Sequence, residues 1–155
     1  GLGDVYKRQD IYLALRGLRT LPTRLAQHQN NALEIATWLN GLSFVDEVLY
    51  PALPGAPGHE LWKRDFKGAT GLFGVRLAPC SEDQLADMLD NMRLFGMGYS
   101  WGGFESLIVP ASVNRTAQPY EETGQLLRLH IGLEDVEDLK ADLADGFARA
   151  GYETV

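Results

Sequence analysis

Leu127-Arg128-Leu129-His130-Ile131 constrains the fold of this chain more than any other stretch. Side chains alternate across a strand, so Leu127, Leu129 and Ile131 share one face and Arg128 and His130 share the other. Three aliphatic residues at a period of two require one face of a sheet to be packed on a core. The polar pair then looks out from the opposite face, towards a cleft or a partner surface. A guanidinium in the middle of an apolar strand is costly unless an acidic group meets it. Its planar fork suits a carboxylate, which it grips through two parallel charge-assisted bonds. The pattern alone leaves Arg128 open between a structural salt bridge and a bound acid. His130 reads as a hydrogen-bonded structural histidine.

A second stretch belongs with the first. Tyr99-Ser100-Trp101-Gly102-Gly103-Phe104-Glu105-Ser106 sets two glycines directly after an aromatic residue, where a backbone can turn sharply. Trp101 can wall a pocket and offer its indole N–H as a donor. Trp38 and Trp62 lie on helical patterns and read as packing. Ser100 has no histidine and acid arranged near it in sequence, which gives no support to a serine-hydrolase triad.

The rest of the chain supplies layers for this strand. Ile11, Leu15 and Leu18 recur at helical spacing between Asp10 and Thr20. Pro22 suits the first turn of a second helix, which the pattern carries to Asn40-Gly41, with Leu25, Ala32, Ile35, Ala36 and Leu39 as its apolar stripe. Phe44 to Tyr50 and Gly71 to Leu77 read as strands, with a Pro- and Gly-rich loop over 51–58 and a short helix from His59 to Phe66 between them. Ser81 and Gln84 have the spacing of a capping box at the head of a helix carrying Leu85, Met88, Leu89 and Met92. Arg93 to Tyr99 reads as a third strand, Val109 to Gly124 as an irregular connection, and Gln125 to Ile131 as the fourth strand. Glu134, Asp135, Glu137 and Asp138 gather at the start of a last helix, where negative charge complements the macrodipole. Val136, Leu139, Leu143 and Phe147 form its buried stripe. The expectation is an α+β fold: a small, mostly antiparallel four-stranded sheet with helices on one face.

Composition excludes several functions. A net charge of −7 argues against nucleic acid as a partner, since phosphate recognition needs a basic surface. No apolar run approaches the roughly 20 residues that span a bilayer. The one cysteine, Cys80, rules out an internal disulfide and a multi-cysteine metal site and fits a reducing cytoplasm. His28, His59 and His130 lack metal-ligand spacing. Asp4-Val5-Tyr6-Lys7-Arg8-Gln9 looks like a translated sequencing adaptor, so residues 1–9 are set aside as a scar and the coding sequence is expected to begin near Asp10. From the residues alone, the reading ends at an α+β domain that binds a small acid.

Four stretches carry a resemblance beyond this. Arg16-Gly17-Leu18-Arg19-Thr20-Leu21, the run from His59 to Phe66, Tyr99-Ser100-Trp101-Gly102-Gly103 with Glu105-Ser106-Leu107, and the run from Leu127 to Leu139 resemble, in the same order, the β-lyase branch of the Cys/Met-metabolism family of pyridoxal-phosphate enzymes. The resemblance covers most of residues 11–150. It implies the C-terminal domain of a fold-type-I subunit, with 10–40 as helices arriving from a large cofactor domain and 41–155 as the substrate-site domain. It implies that Arg128 holds the substrate α-carboxylate, with Tyr99, Ser100 and Trp101 beside it. Trp101 and His130-Ile131 set this branch apart from γ-synthase and γ-lyase relatives. The implied activity is β-elimination of cystathionine to homocysteine, pyruvate and ammonia, a step of methionine biosynthesis, with pyridoxal 5′-phosphate as electron sink. The implied assembly is a cytoplasmic homotetramer. One departure matters: none of Lys7, Lys63, Lys67 or Lys140 stands in the serine/threonine-lysine-tyrosine context of the family's cofactor-bonding lysine. The chain is therefore expected to hold part of a substrate site and no catalytic apparatus.

Overall fold

A computed structural model describes residues 8–117 and 123–153. Most of the proposed scar therefore lies outside the described residues; Arg8 and Gln9 belong to the first helix. The elements are α1 (Arg8–Arg19), α2 (Leu21–Asn40), β1 (Val45–Leu49), α3 (His59–Asp65), β2 (Leu72–Leu77), α4 (Glu82–Asp90), β3 (Gly96–Met97), β4 (Leu107–Pro110), β5 (Gln125–His130) and α5 (Val136–Arg149). The sheet runs β1-β2-β5-β4-β3 and is antiparallel except for the β3–β4 pair. None of the described helices is long and apolar enough to cross a membrane.

The strand that organises the sequence also occupies the centre of the sheet. Arg128 lies opposite Gly74 of β2 on one side and Val109 of β4 on the other. Leu127, Leu129 and Ile131 are fully buried, as their alternation requires. They join Val48, Phe73, Val75, Leu77 and Ile108 from the other strands, and meet Ile35 and Leu39 of α2, Met88 and Leu89 of α4, and Leu139, Leu143 and Phe147 of α5 in one apolar cluster. Helices thus cover one face, and Arg128 emerges on the other.

Local signals hold where both partners lie close in sequence. The capping box forms in both directions: Ser81 N–H donates to Gln84 Oε1 at 3.0 Å and Gln84 N–H to Ser81 Oγ at 3.2 Å. α2 stops at Asn40, although Gly41 stays right-handed at φ −90°. Leu25 is 40% exposed and drops out of the predicted α2 stripe. In α1 no residue is buried, and Ile11, Tyr12, Leu15 and Leu18 lie in solvent.

The sheet has five strands, not four, and the two differences have separate causes. The strand expected over Arg93–Tyr99 shrinks to Gly96–Met97. The buried carboxylate of Asp142, on α5, accepts the backbone N–H groups of Arg93 (2.9 Å), Leu94 (2.8 Å) and Phe95 (3.1 Å). Those donors are spent on a helix and leave none for a ladder. The connection expected from Val109 starts later, because Leu107–Pro110 forms β4 beside β5. Replacing Asp142 with alanine takes the acceptor from three N–H groups at once, that of Phe95 buried and those of Arg93 and Leu94 part-buried, and an unsatisfied buried donor costs about 1–3 kcal/mol. Asp142→Ala is expected to destabilise the chain by about 3 kcal/mol or more in urea-induced unfolding; a loss below about 1 kcal/mol would mean that water replaces the carboxylate.

Candidate functional site

The Arg128 guanidinium makes no hydrogen bond and no ion pair among the described residues. Its one polar contact is the ring of Tyr99, with the guanidinium carbon 5.6 Å from the ring centre. Among the described residues no structural salt bridge explains an arginine at mid-strand. Its donors remain available to an external acid on the open face of the sheet. Tyr99 is 76% exposed and gives this cation an aromatic wall. Ser100 and Trp101 follow on the same loop. Ser100 is exposed, and Trp101 is 64% exposed, so little packing holds its indole. Tyr99 is thus brought onto Arg128, while Ser100 and Trp101 stand beside it on the loop without a bond to it.

What holds this loop, beyond the turn its glycines allow, is a set of hydrogen bonds that the sequence patterns do not show. Gly102 turns the chain in the left-handed region at φ 82°. Beyond the turn, Ser106 is fully buried. Its N–H donates to Glu134 Oε1 at 2.7 Å, its hydroxyl donates to Glu134 Oε2 at 2.8 Å, and the same oxygen accepts the N–H of Gly132 at 2.8 Å. Leu133 N–H donates to the Phe104 carbonyl at 2.8 Å. Glu134 was expected to serve the dipole of α5; its carboxylate turns instead to the loop. Asp135 caps α5, accepting from Glu137 and Asp138 N–H.

Helix α2 holds the other side of the same junction. The Asn31 amide donates to the carbonyls of Gly132 (3.2 Å) and Glu134 (3.1 Å), and Gln27 donates to Asn31 Oδ1 at 2.7 Å. His28 Nδ1 lies 2.7 Å from the Ile131 carbonyl and so carries the proton. His28 and Asn31 are nearly fully buried, three residues apart on the face that carries Ala32 and Ile35. That polar pair within an apolar face is the signal in the sequence that could have marked them.

His130 is buried and hydrogen-bonded, as its pattern suggests. Its ring lies 5.2 Å from that of His28, centre to centre. Burial, opposed in part by the Gly103 carbonyl, lowers its pKa from the usual histidine value. Among the described residues no three His, Cys, Asp or Glu side chains gather as a metal site would require.

Proteins of known activity share much of this sequence and this fold. Cystathionine beta-lyases of Salmonella typhimurium and Escherichia coli are 50% and 49% identical to this chain over 154 residues, covering 96% of it and 39% of their own length. A crystal structure of cystathionine gamma synthase from Xanthomonas oryzae pv. oryzae in complex with cystathionine superposes with a TM-score of 0.77 at 41% identity, covering 92% of this chain and 38% of that one. The chain thus spans about two fifths of the length of these relatives, and its fold matches the C-terminal region of fold-type-I pyridoxal-phosphate enzymes. Residues 1–148 match the sequence pattern of the Cys/Met metabolism PLP-dependent enzymes, and with half its residues shared with such lyases the chain belongs to that family.

Proposed function

We propose that this chain is the substrate-carboxylate domain of a carbon–sulfur lyase that cleaves L-cystathionine by β-elimination to homocysteine, pyruvate and ammonia. The observation that carries the reading is Arg128: a central-strand arginine with no acidic partner among the described residues, faced by Tyr99 on the loop that presents Ser100 and Trp101. A bidentate grip on the α-carboxylate would fix the amino acid at one end and aim its Cα–H bond. The Xanthomonas relative was crystallised with cystathionine, which has such a carboxylate at each end. Arg128 would take one of them, with Tyr99, Ser100 and Trp101 lining its surroundings. A homotetramer in the cytoplasm is part of the same proposal.

The family's cofactor is pyridoxal phosphate, which stabilises negative charge at Cα when bound. None of the described lysines stands in the family's serine/threonine-lysine-tyrosine context. Lys140 is ion-paired at 2.7 Å with both Glu34 and Glu137, which raises its pKa and holds its ammonium charged. Lys63 and Lys67 are exposed in α3 and just beyond it. A charged, hydrogen-bonded amine is no nucleophile toward an aldehyde. The 155-residue chain by itself is accordingly expected to give no borohydride-trapped pyridoxyl adduct on Lys63, Lys67 or Lys140; a stoichiometric adduct found by peptide mass mapping would sink that assignment.

The experiment that tests the function is product identification. The full-length protein with cystathionine should yield pyruvate with homocysteine. Release of 2-oxobutyrate with cysteine would place it with the γ-acting relatives, and no turnover would leave a domain that only binds the acid.

A further inference from the structure

We propose that His130 is a positioning residue that sets Trp101 over the substrate site by holding both glycines of the turn after it. The inference rests on the reading of Arg128 above and extends it to the neighbouring residue on the same strand face. Arg128 and His130 are two residues apart, so one strand touches the loop at two places. Arg128 meets Tyr99, ahead of Trp101. His130 meets Gly102 and Gly103, directly behind it: the Gly102 N–H lies 3.4 Å from Nδ1 and 3.2 Å from Nε2, and Nε2 lies 3.1 Å from the Gly103 carbonyl. Trp101 is held between these two points and by little else, since most of its indole is in solvent.

Hydrogen-bond chemistry selects one form of the ring. The Gly103 carbonyl needs a donor, so Nε2 carries the proton. The Gly102 N–H lies between the two ring nitrogens, and the lone pair left to accept it is on Nδ1, the longer of its two contacts at 3.4 Å. Only the neutral imidazole serves both glycines. A second proton on Nδ1 would set one N–H against another and release Gly102. The surroundings keep the ring neutral. His28 of α2 faces it, Arg128 adds positive charge from its own strand, and both oppose protonation; Glu134 at the head of α5 favours it, as does the Gly103 carbonyl, but burial outweighs them. Leu72 and Leu107, its neighbours on β2 and β4, bring no charge. The folded pKa therefore lies below the unfolded value. The neutral contacts are complete above about pH 6.5 and are lost as pH falls below that value, through the lowered folded pKa.

Glutamine can replace both functions, with an amide oxygen for Gly102 and an amide N–H for Gly103, whereas alanine replaces neither. The test labels the full-length protein with 5-fluorotryptophan and assigns the Trp101 resonance by its absence in Trp101→Phe. In His130→Ala the Trp101 signal should move and broaden while those of Trp38 and Trp62 stay in place, and in His130→Gln it should return towards the original position. Acidification should move the same signal in the unaltered protein and not in His130→Gln. With cystathionine, His130→Ala should raise KM about tenfold and leave kcat within about threefold, because loop placement serves binding of ground and transition states alike. A Trp101 signal unchanged in His130→Ala would overturn the proposal, and so would a displaced signal with unchanged kinetics. If the protein cleaves no cystathionine, the proposed function fails by itself, and the fluorine signal and its pH response still decide whether His130 holds the loop.

Discussion

Arg128→Ala in the full-length protein is expected to lower kcat/KM for cystathionine about a hundredfold or more while folding stays near normal. A hydrogen bond to a charged group contributes about 1.5–3 kcal/mol, and a desolvated bidentate pair lies at or above that range. Each 1.36 kcal/mol is about tenfold in rate. Stability should change little, because the guanidinium has no ion pair to lose among the described residues; its contact with the exposed Tyr99 ring is worth about 0.5–1 kcal/mol. Arg128→Lys should recover only part of the activity, since an ammonium cannot reproduce the planar fork. Steady-state kinetics beside a thermal melt separates the roles. A fall below about fivefold in kcat/KM, or a large loss of stability with normal turnover, would return Arg128 to a structural role.

Gly132→Ala is expected to be the most disruptive single methyl that can be added near the site. A Cβ at this position would run into the Phe104 carbonyl oxygen and a Glu134 carboxylate oxygen, and would come within 2.8 Å of the Glu105 carbonyl carbon. Two of these are backbone atoms, which cannot swing aside. The substitution must separate the strand end from the loop, and with it the Ser106–Gly132 and Leu133–Phe104 hydrogen bonds. Overpacking costs about 1–3 kcal/mol, and each lost bond adds about 1 kcal/mol. A loss of about 3–5 kcal/mol follows, enough to take most of the stability of a marginal domain. Gly102→Ala is the control. Gly102 has the left-handed φ of 82° but open space around a Cβ, so only backbone strain of about 1–2 kcal/mol is added. Equal losses of stability for the two variants would mean that the close approach at Gly132 relaxes freely.

Much of the fold was legible because its signals are short-range. The period-two run of β5 placed Leu127, Leu129 and Ile131 in the core, and opposite them an arginine that has no ion pair among the described residues. Ser81 and Gln84 lie three residues apart and cap α4 wherever that helix packs. Alternation and capping depend on a few neighbouring residues, so they survive any tertiary arrangement that keeps the element.

The remaining features were decided by residues distant in the chain. Arg93–Tyr99 has strand composition, yet Asp142, 47 to 49 residues away, takes three of its donors and the ladder shrinks to Gly96–Met97. Glu134 has the place of a helix-dipole residue, yet Ser106, 28 residues earlier, claims both its carboxylate oxygens. His28 and Asn31 are polar, yet they are buried because carbonyls of Ile131, Gly132 and Glu134 come to meet them. By itself the sequence determined which face of the central strand is apolar and which two polar residues, Arg128 and His130, stand on the other. Only the tertiary structure decided which backbone groups a carboxylate, an amide or an imidazole would capture, because a side-chain bond is selected by proximity after the core has assembled and not by the period of the residues around it.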